Sequence, residues 1–155
     1  MSTIEKTIDV HVPVRTAYDQ WAQFETFPKF MEGVERVEQT SGTRTHWVTK
    51  IAGVTREFDA EITEQTPDRR IEWRTVNGPQ QAGVVTFDQL DPTTTRVALT
   101  MQFEPKGVAE TVGDATNIIE QRIEGDLERF KEFVESGRDS DRAPGYRGDE
   151  FDTGL

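Results

Sequence analysis

A single α+β domain, seven antiparallel strands followed by one long C-terminal helix, is the fold that three patterns in this sequence predict. The first is Val10-His11-Val12-Pro13 running into Val14-Arg15-Thr16-Ala17-Tyr18-Asp19-Gln20-Trp21 and then Phe27-Pro28-Lys29-Phe30-Met31, a strand that gives way to two short helices. The second is a series of six alternating segments from Val34 onward, separated by turn-forming residues. The third is a change to helical periodicity after Pro105 and Gly107 that persists to Ser136.

Each element has a local reason. Ile4, Ile8, Val10 and Val12 share one face of the first strand, with Glu5, Thr7, Asp9 and His11 on the other, the period of a half-buried strand. Only Lys6 interrupts the apolar face. Proline is tolerated in the first turn of a helix because its missing N–H would be unpaired there, so Pro13 marks the switch from strand to helix. Val14, Ala17, Tyr18, Trp21 and Phe24 then recur at three- and four-residue steps and should seal one end of the core. Phe27-Pro28 breaks the chain again.

The six later strands are bounded by Ser41-Gly42, Ala52-Gly53, Pro67-Asp68, Asn77-Gly78-Pro79 and Asp91-Pro92, and such short turns imply antiparallel neighbours. Alternation points Trp47, Thr49, Ile51, Arg56, Phe58, Ala60 and Ile62 inward, as well as Ile71, Trp73, Thr75, Gly83, Val85, Phe87, Val97, Leu99, Met101 and Phe103. Glu57, Asp59, Glu61, Glu72, Arg74, Arg96 and Thr100 take the wet face. In the last helix, expected from about Glu110 to Ser136, Val112, Thr116, Ile119, Ile123, Leu127, Phe130 and Val134 form one stripe. Its length would be on the order of 40 Å. Residues 1–137 are expected to form the domain, and Arg138 to Leu155, rich in Asp, Arg and Gly, a disordered acidic tail.

Composition narrows the function. The 155 residues contain no cysteine, which excludes a disulfide framework, a thiolate metal site and a cysteine nucleophile. A net charge of −11 repels phosphate backbones and disfavours nucleic acid as a partner. No apolar run approaches the roughly 20 residues that span a bilayer, and the first residues lack the layout of a signal peptide, so a cytoplasmic protein without an integral membrane segment is expected. There is no nucleophile elbow, P-loop or dinucleotide fingerprint, and Gly107 followed by Gly113 does not make one. His11 and His46 both fall on outward positions, and no metal-ligand spacing is visible. No metal and no cofactor is expected.

The order of elements is that of the helix-grip fold, and the chain resembles START-like (SRPBCC) proteins of the polyketide cyclase/dehydrase and coenzyme-Q-binding type from Thr3 to about Ser136. The resemblance rests on Val12-Pro13, the Trp21 to Phe24 helix end, Phe27-Pro28-Lys29-Phe30-Met31, Gly33-Val34 and Trp47. It is extended by Phe58-Asp59-Ala60-Glu61-Ile62, Arg70-Ile71-Glu72-Trp73-Arg74, Gly83-Val84-Val85-Thr86-Phe87 and Leu127-Glu128-Arg129-Phe130-Lys131. It implies a curved sheet wrapped around the long helix, with a cavity between them that opens near the helix's N-terminal half. These residues are specific for fold and weak for function, because one fold hosts many functions.

Candidate ligand-binding residues are Trp47, Thr49, Arg56, Phe58, Trp73, Thr75, Val85, Phe87, Met101, Ile119 and Ile123. The large aromatic residues among them are equally readable as plain core. Arg56 can meet a carboxylate, phenolate or quinone oxygen, or can sit at the sheet rim and pair with water or an acid. Thr49, Thr75 and Gln81 can bond a ligand or satisfy one another. Tyr18 reads as a packing residue with a phenolic alternative, and Asn117 and Arg122, which flank the apolar stripe, read as plain surface residues, with bordering the entrance as the alternative.

Three functions are compatible with this pattern. One is a carrier or sensor for a small hydrophobic molecule such as a polyketide, isoprenoid quinone or lipid. Another is a cyclase or dehydrase that folds its substrate on a template. The resemblance implies inward arginine and tyrosine groups for such an enzyme, and alternation places only Arg56 inside. The third is a protein-interaction module with a filled core.

Overall fold

The structure, a computed structural model, describes residues 2–51, 53–78, 80–104 and 115–136, the last segment with side chains from Asn117 onward. In order the elements are β1 (Ser2–Val10), α1 (Val14–Trp21), a 3₁₀ helix (Phe24–Lys29), β2 (Val34–Gln39), β3 (Arg44–Ile51), β4 (Val54–Thr66), β5 (Arg70–Thr75), β6 (Gln81–Asp91), β7 (Thr94–Phe103) and α2 (Ala115–Ser136). The expected start of the long helix at Glu110, the position of Val112 on its stripe and the tail from Arg138 lie outside the described residues.

The seven strands form one antiparallel sheet in the order β1-β7-β6-β5-β4-β3-β2. β2 to β7 make a meander, so each short turn pairs sequence neighbours, and β1 closes against β7. β1 and β2 are therefore the two edges, and α1 with the 3₁₀ helix must carry the chain from one edge to the other. Their buried residues Ala17, Tyr18, Trp21, Phe24 and Phe27 join the core on that route. Irregular pairing at Val34/Arg36, Ile62/Glu64 and Gln89/Asp91 marks local bulges, which bend strands.

The alternation of the strands is realised. Pairing sets Ile4 beside Met101, Met101 beside Gly83, Gly83 beside Trp73 and Trp73 beside Ile62, one inward row across five strands. Lys6, the interruption on β1, reaches α2 and pairs with Glu120 at 2.7 Å and Glu124 at 3.0 Å. At the other end of the helix Lys131 donates to the Asp9 carbonyl and Glu135 accepts from the His11 backbone N–H. Gly78, in the β5–β6 turn, has φ +83°, and a Cβ there would lie 2.7 Å from the Phe58 Cβ, so both conformation and space require glycine.

The core joins sheet, α1, 3₁₀ helix and α2 through aromatic rings. Trp21 lies edge-on to Phe130 at 5.1 Å and to Phe27 at 5.7 Å, and Phe30 to Phe130 at 5.3 Å. Such edge-to-face geometry is the favoured one for aromatic pairs.

His46 lies on the outer face, as expected, between two acids. Its Nδ1 is 2.7 Å from Asp59 Oδ1 and its Nε2 3.2 Å from Glu57 Oε1. The hydrogen bond to Asp59 holds the imidazolium above its ordinary value of 6.5, and that same bond, joined by one from Asn77, holds the Asp59 carboxyl below 3.8. A raised histidine stabilises the fold fully below pH 6.5, and the contribution is lost as pH rises through the raised folded value. The lowered Asp59 contributes above pH 3.8 and loses its contribution as pH falls through the lowered folded value. Urea midpoints measured against pH should therefore decline on the alkaline side for the native chain and stay flatter for His46→Asn. Parallel curves for the two proteins would refute this.

Candidate functional site

Between the inner face of the sheet and α2 lies a cavity of about 150 Å³ with an open side. Its walls come from four sources. β3 and β4 supply Thr45, Trp47, Thr49, Ile51, Arg56, Phe58 and Ile62, and β5 to β7 supply Ile71, Trp73, Thr75, Gln81, Leu99 and Met101. From α2 come Ile119, Arg122, Ile123, Asp126 and Leu127. Trp21, Phe24, Phe27, Met31 and Gly33 complete it from the α1, 3₁₀ and loop side, with Val34 at the start of β2.

Nine of the eleven residues proposed from sequence lie in this wall: Trp47, Thr49, Arg56, Phe58, Trp73, Thr75, Met101, Ile119 and Ile123. Val85 and Phe87 do not. They alternate inward as expected, but farther along β6, where Val85 is fully buried and Phe87 packs edge-on to Tyr18 at 5.5 Å. Tyr18 and Trp21 of the incoming α1 cover Phe87 there. Tyr18 is likewise a core residue.

Of the two residues read as surface or entrance, the structure brings Arg122 to the cavity. It stands on the cavity wall, with its Cδ against Gly33, where an added Cβ would lie only 3.0 Å away. Asn117 is exposed and is not in the wall. Asp126 escaped notice, since a lone acid on a charged helix reads as solvated. The 3₁₀ helix and its following loop escaped too, because no strand or helix period says which end of the sheet they cover.

Much of the neutral polar lining is satisfied by the protein itself. Thr75 Oγ1 donates to the Gln81 carbonyl at 3.2 Å and accepts from the Gln81 N–H at 3.1 Å. Trp47 Nε1 donates to Thr45 Oγ1 at 2.8 Å. The indole of Trp47 also stacks on Phe58, ring centres 6.0 Å apart and planes 10° from parallel.

The charged end is built where α2 meets the Phe30–Gly33 loop. Asp126 Oδ1 accepts from the Glu32 backbone N–H at 3.0 Å and from Arg129 Nη2 at 2.5 Å, while Arg129 Nε donates to the Phe30 carbonyl at 2.9 Å. Burial pushes the Asp126 carboxyl above its ordinary value, against the opposing pull of these donors. Arg122 Nη1 reaches Glu32 Oε1 only at 3.4 Å, and among the described residues its buried Nε has no hydrogen-bond partner.

No group of described residues gathers three or more histidine, aspartate or glutamate side chains in a metal-binding arrangement, and no described helix is long and apolar enough to cross a membrane. Chemically, the arrangement can enclose an apolar guest and address it with two guanidinium groups and one carboxyl.

Comparison with known proteins agrees with this architecture. The chain is 59% identical over 136 residues to an uncharacterized 17.2 kDa protein in the melC2-rnhH intergenic region of Streptomyces lincolnensis, covering 87% of this chain and 91% of that one. Among solved structures it is similar to the Zhui aromatase/cyclase from Streptomyces sp. R1128, with TM-score 0.74, 16% identity, and 88% and 94% of the two chains covered. A START superfamily protein from Mycobacterium smegmatis matches with TM-score 0.69 and 14% identity, over 89% and 97% of the two chains. These two likenesses are of fold. The family model for polyketide cyclase/dehydrase and lipid transport matches residues 10–132, and the chain belongs to that family.

Proposed function

We propose that this protein binds a small hydrophobic molecule in the cavity between sheet and α2, as a carrier or sensor. The observation that carries the reading is a cavity of about 150 Å³ whose wall is mostly aromatic and aliphatic, with few polar groups. Ligand sites have this composition: apolar surface supplies affinity and sparse polar groups set orientation. Trp47, Thr49, Arg56, Phe58, Trp73, Thr75, Met101, Ile119 and Ile123 are the proposed contacts. Family membership supports the reading.

Burying about 150 Å² of a guest's apolar surface yields on the order of 4 kcal/mol before the costs of association. Modest affinity is therefore expected for a purely apolar guest. Native mass spectrometry of gently purified protein should show a stoichiometric small-molecule adduct that solvent extraction releases. At about 100 times its Kd, a matched ligand should raise stability by about 2.7 kcal/mol, a Tm rise of roughly 5–11 °C. No adduct, together with no Tm shift from fatty acids, quinones or aromatic compounds, would favour the protein-interaction reading.

A cyclase or dehydrase gains support from one feature: Arg122 joins Arg56 in the cavity, so two guanidinium groups are available to polarise a carbonyl. Its test is turnover of a reactive polyketide chain by the native protein and by folded Arg56→Ala. Unchanged product formation in that variant would remove Arg56 from the mechanism.

A further inference from the structure

Resting on the reading of this cavity as a ligand site, we infer that its preferred guest is a flat aromatic carboxylate of about one ring, with the carboxylate bound at Arg122. Three observations converge on that class. The first is the wall: Trp21, Phe24, Phe27, Trp47, Phe58 and Trp73 all line the cavity. Aromatic faces and edges reward a planar aromatic guest beyond simple area burial.

The second is volume. About 150 Å³ is the size of an apolar cavity that accepts a benzene ring, and it is small for a fused multi-ring skeleton. A substituent on the ring would extend through the open side.

The third is charge. Arg56 and Arg122 contribute two cationic groups to the wall against the single carboxyl of Asp126. Arg122 is specifically equipped for an acid. Its side chain is only 22% exposed, its stem is seated against Gly33, and its Nε has no hydrogen-bond partner among the described residues. Glu32, its acidic neighbour, is 67% exposed and meets only Nη1, at 3.4 Å. With Nε buried and Nη1 only loosely held by Glu32, the terminal nitrogens are the groups that meet a carboxylate, through charge-assisted hydrogen bonds that an alcohol or ester does not reproduce. The Asp126 carboxylate is already paired with Arg129 Nη2 at 2.5 Å and with the Glu32 N–H at 3.0 Å, which leaves Arg122 as the cation facing a guest from that end.

The test uses the full chain, 4-propylbenzoate and its neutral analogue 4-propylbenzyl alcohol, titrated by calorimetry at neutral pH. The acid should bind at least about tenfold more tightly than the alcohol, the effect of one charge-assisted interaction. In Arg122→Gln that ratio should collapse towards one. Arg122→Lys, which keeps the charge but loses the fork, should give an intermediate ratio. Equal binding of acid and alcohol to the native chain, or a ratio that survives Arg122→Gln, would overturn the inference and leave the hydrophobic-ligand reading standing. If neither molecule binds, this inference fails, and the adduct and Tm measurements decide the hydrophobic-ligand reading. Circular dichroism identifies a variant that has not folded, in which case the native acid-to-alcohol ratio decides alone.

Discussion

Truncation of Phe130 to alanine is expected to lower the unfolding free energy by about 3–5 kcal/mol. Phe130 is completely buried, and its ring meets Trp21 from α1 and Phe30 from the end of the 3₁₀ helix. It thus joins α2 to both short helices at once. The sheet has its own ladder of backbone hydrogen bonds, whereas α2 is held by side-chain contacts and a few ion pairs, largely exposed ones of small worth. Removing the ring leaves a hole among rigid aromatic neighbours that cannot collapse into it, which places the loss in the range for Phe→Ala. For a chain of this size the Tm should fall by roughly 6–20 °C. Urea unfolding followed by circular dichroism measures it, and a loss below about 1 kcal/mol would mean that α2 is anchored elsewhere.

Gly83→Ala is the second large effect, and it falls on the cavity. Gly83 sits between Trp73 and Met101 in the inward row, and a Cβ there would lie 2.4 Å from Trp73 Cζ2 and 2.9 Å from Met101 Sδ. The glycine therefore makes room for an indole that lies across the sheet. Adding one methyl group must drive that indole away from β6, in the direction of the open space. Overpacking of this kind costs about 1–3 kcal/mol. The larger consequence is functional: the Trp73 ring enters space that a guest would occupy, so affinity for any cavity ligand should fall by about tenfold or more. Smaller residues at position 73, as in Gly83→Ala/Trp73→Leu, should recover much of the stability because the clash is gone. If Gly83→Ala binds ligand as the native chain does, Trp73 is not a wall of the binding site.

These effects separate two kinds of information. Period-two alternation placed Trp47, Phe58, Trp73 and Met101 on the inner face, and three- and four-residue spacing placed Ile119, Ile123 and Phe130 on the buried side of α2. Both are local rules: a strand alternates its faces and a helix repeats its stripe whatever surrounds them. The same rules assigned Val85 and Phe87 inward, correctly, yet could not say that rings of α1 would cover Phe87 and that both would lie outside the cavity wall. Position along a strand relative to a covering element depends on how the edges of the sheet are bridged, and that is a matter of topology.

Chemical roles were less legible than faces. Thr75 and Gln81 were readable as polar groups near a pocket, but their mutual hydrogen bonds follow from the register of the β5–β6 hairpin. Arg122 and Asp126 lie in a helix rich in charge, Glu120, Glu124, Glu128 and Arg129 among its neighbours, where a charged residue is ordinarily solvated. The loop from Phe30 to Gly33 changes their environment. It packs against α2, takes Asp126 as the acceptor for the Glu32 N–H, and presses Gly33 against the Arg122 stem.

By itself, then, the sequence determined the order of seven strands and three helical segments, their buried faces and the family, because hydrophobic period and turn chemistry are written residue by residue. Only the tertiary structure decided how large the cavity is, that Val85 and Phe87 lie outside its wall, and that Arg122 and Asp126 form its charged end. Cavities and buried charges arise where distant segments meet imperfectly, and the distance between residues 33 and 122 is not encoded in any local spacing.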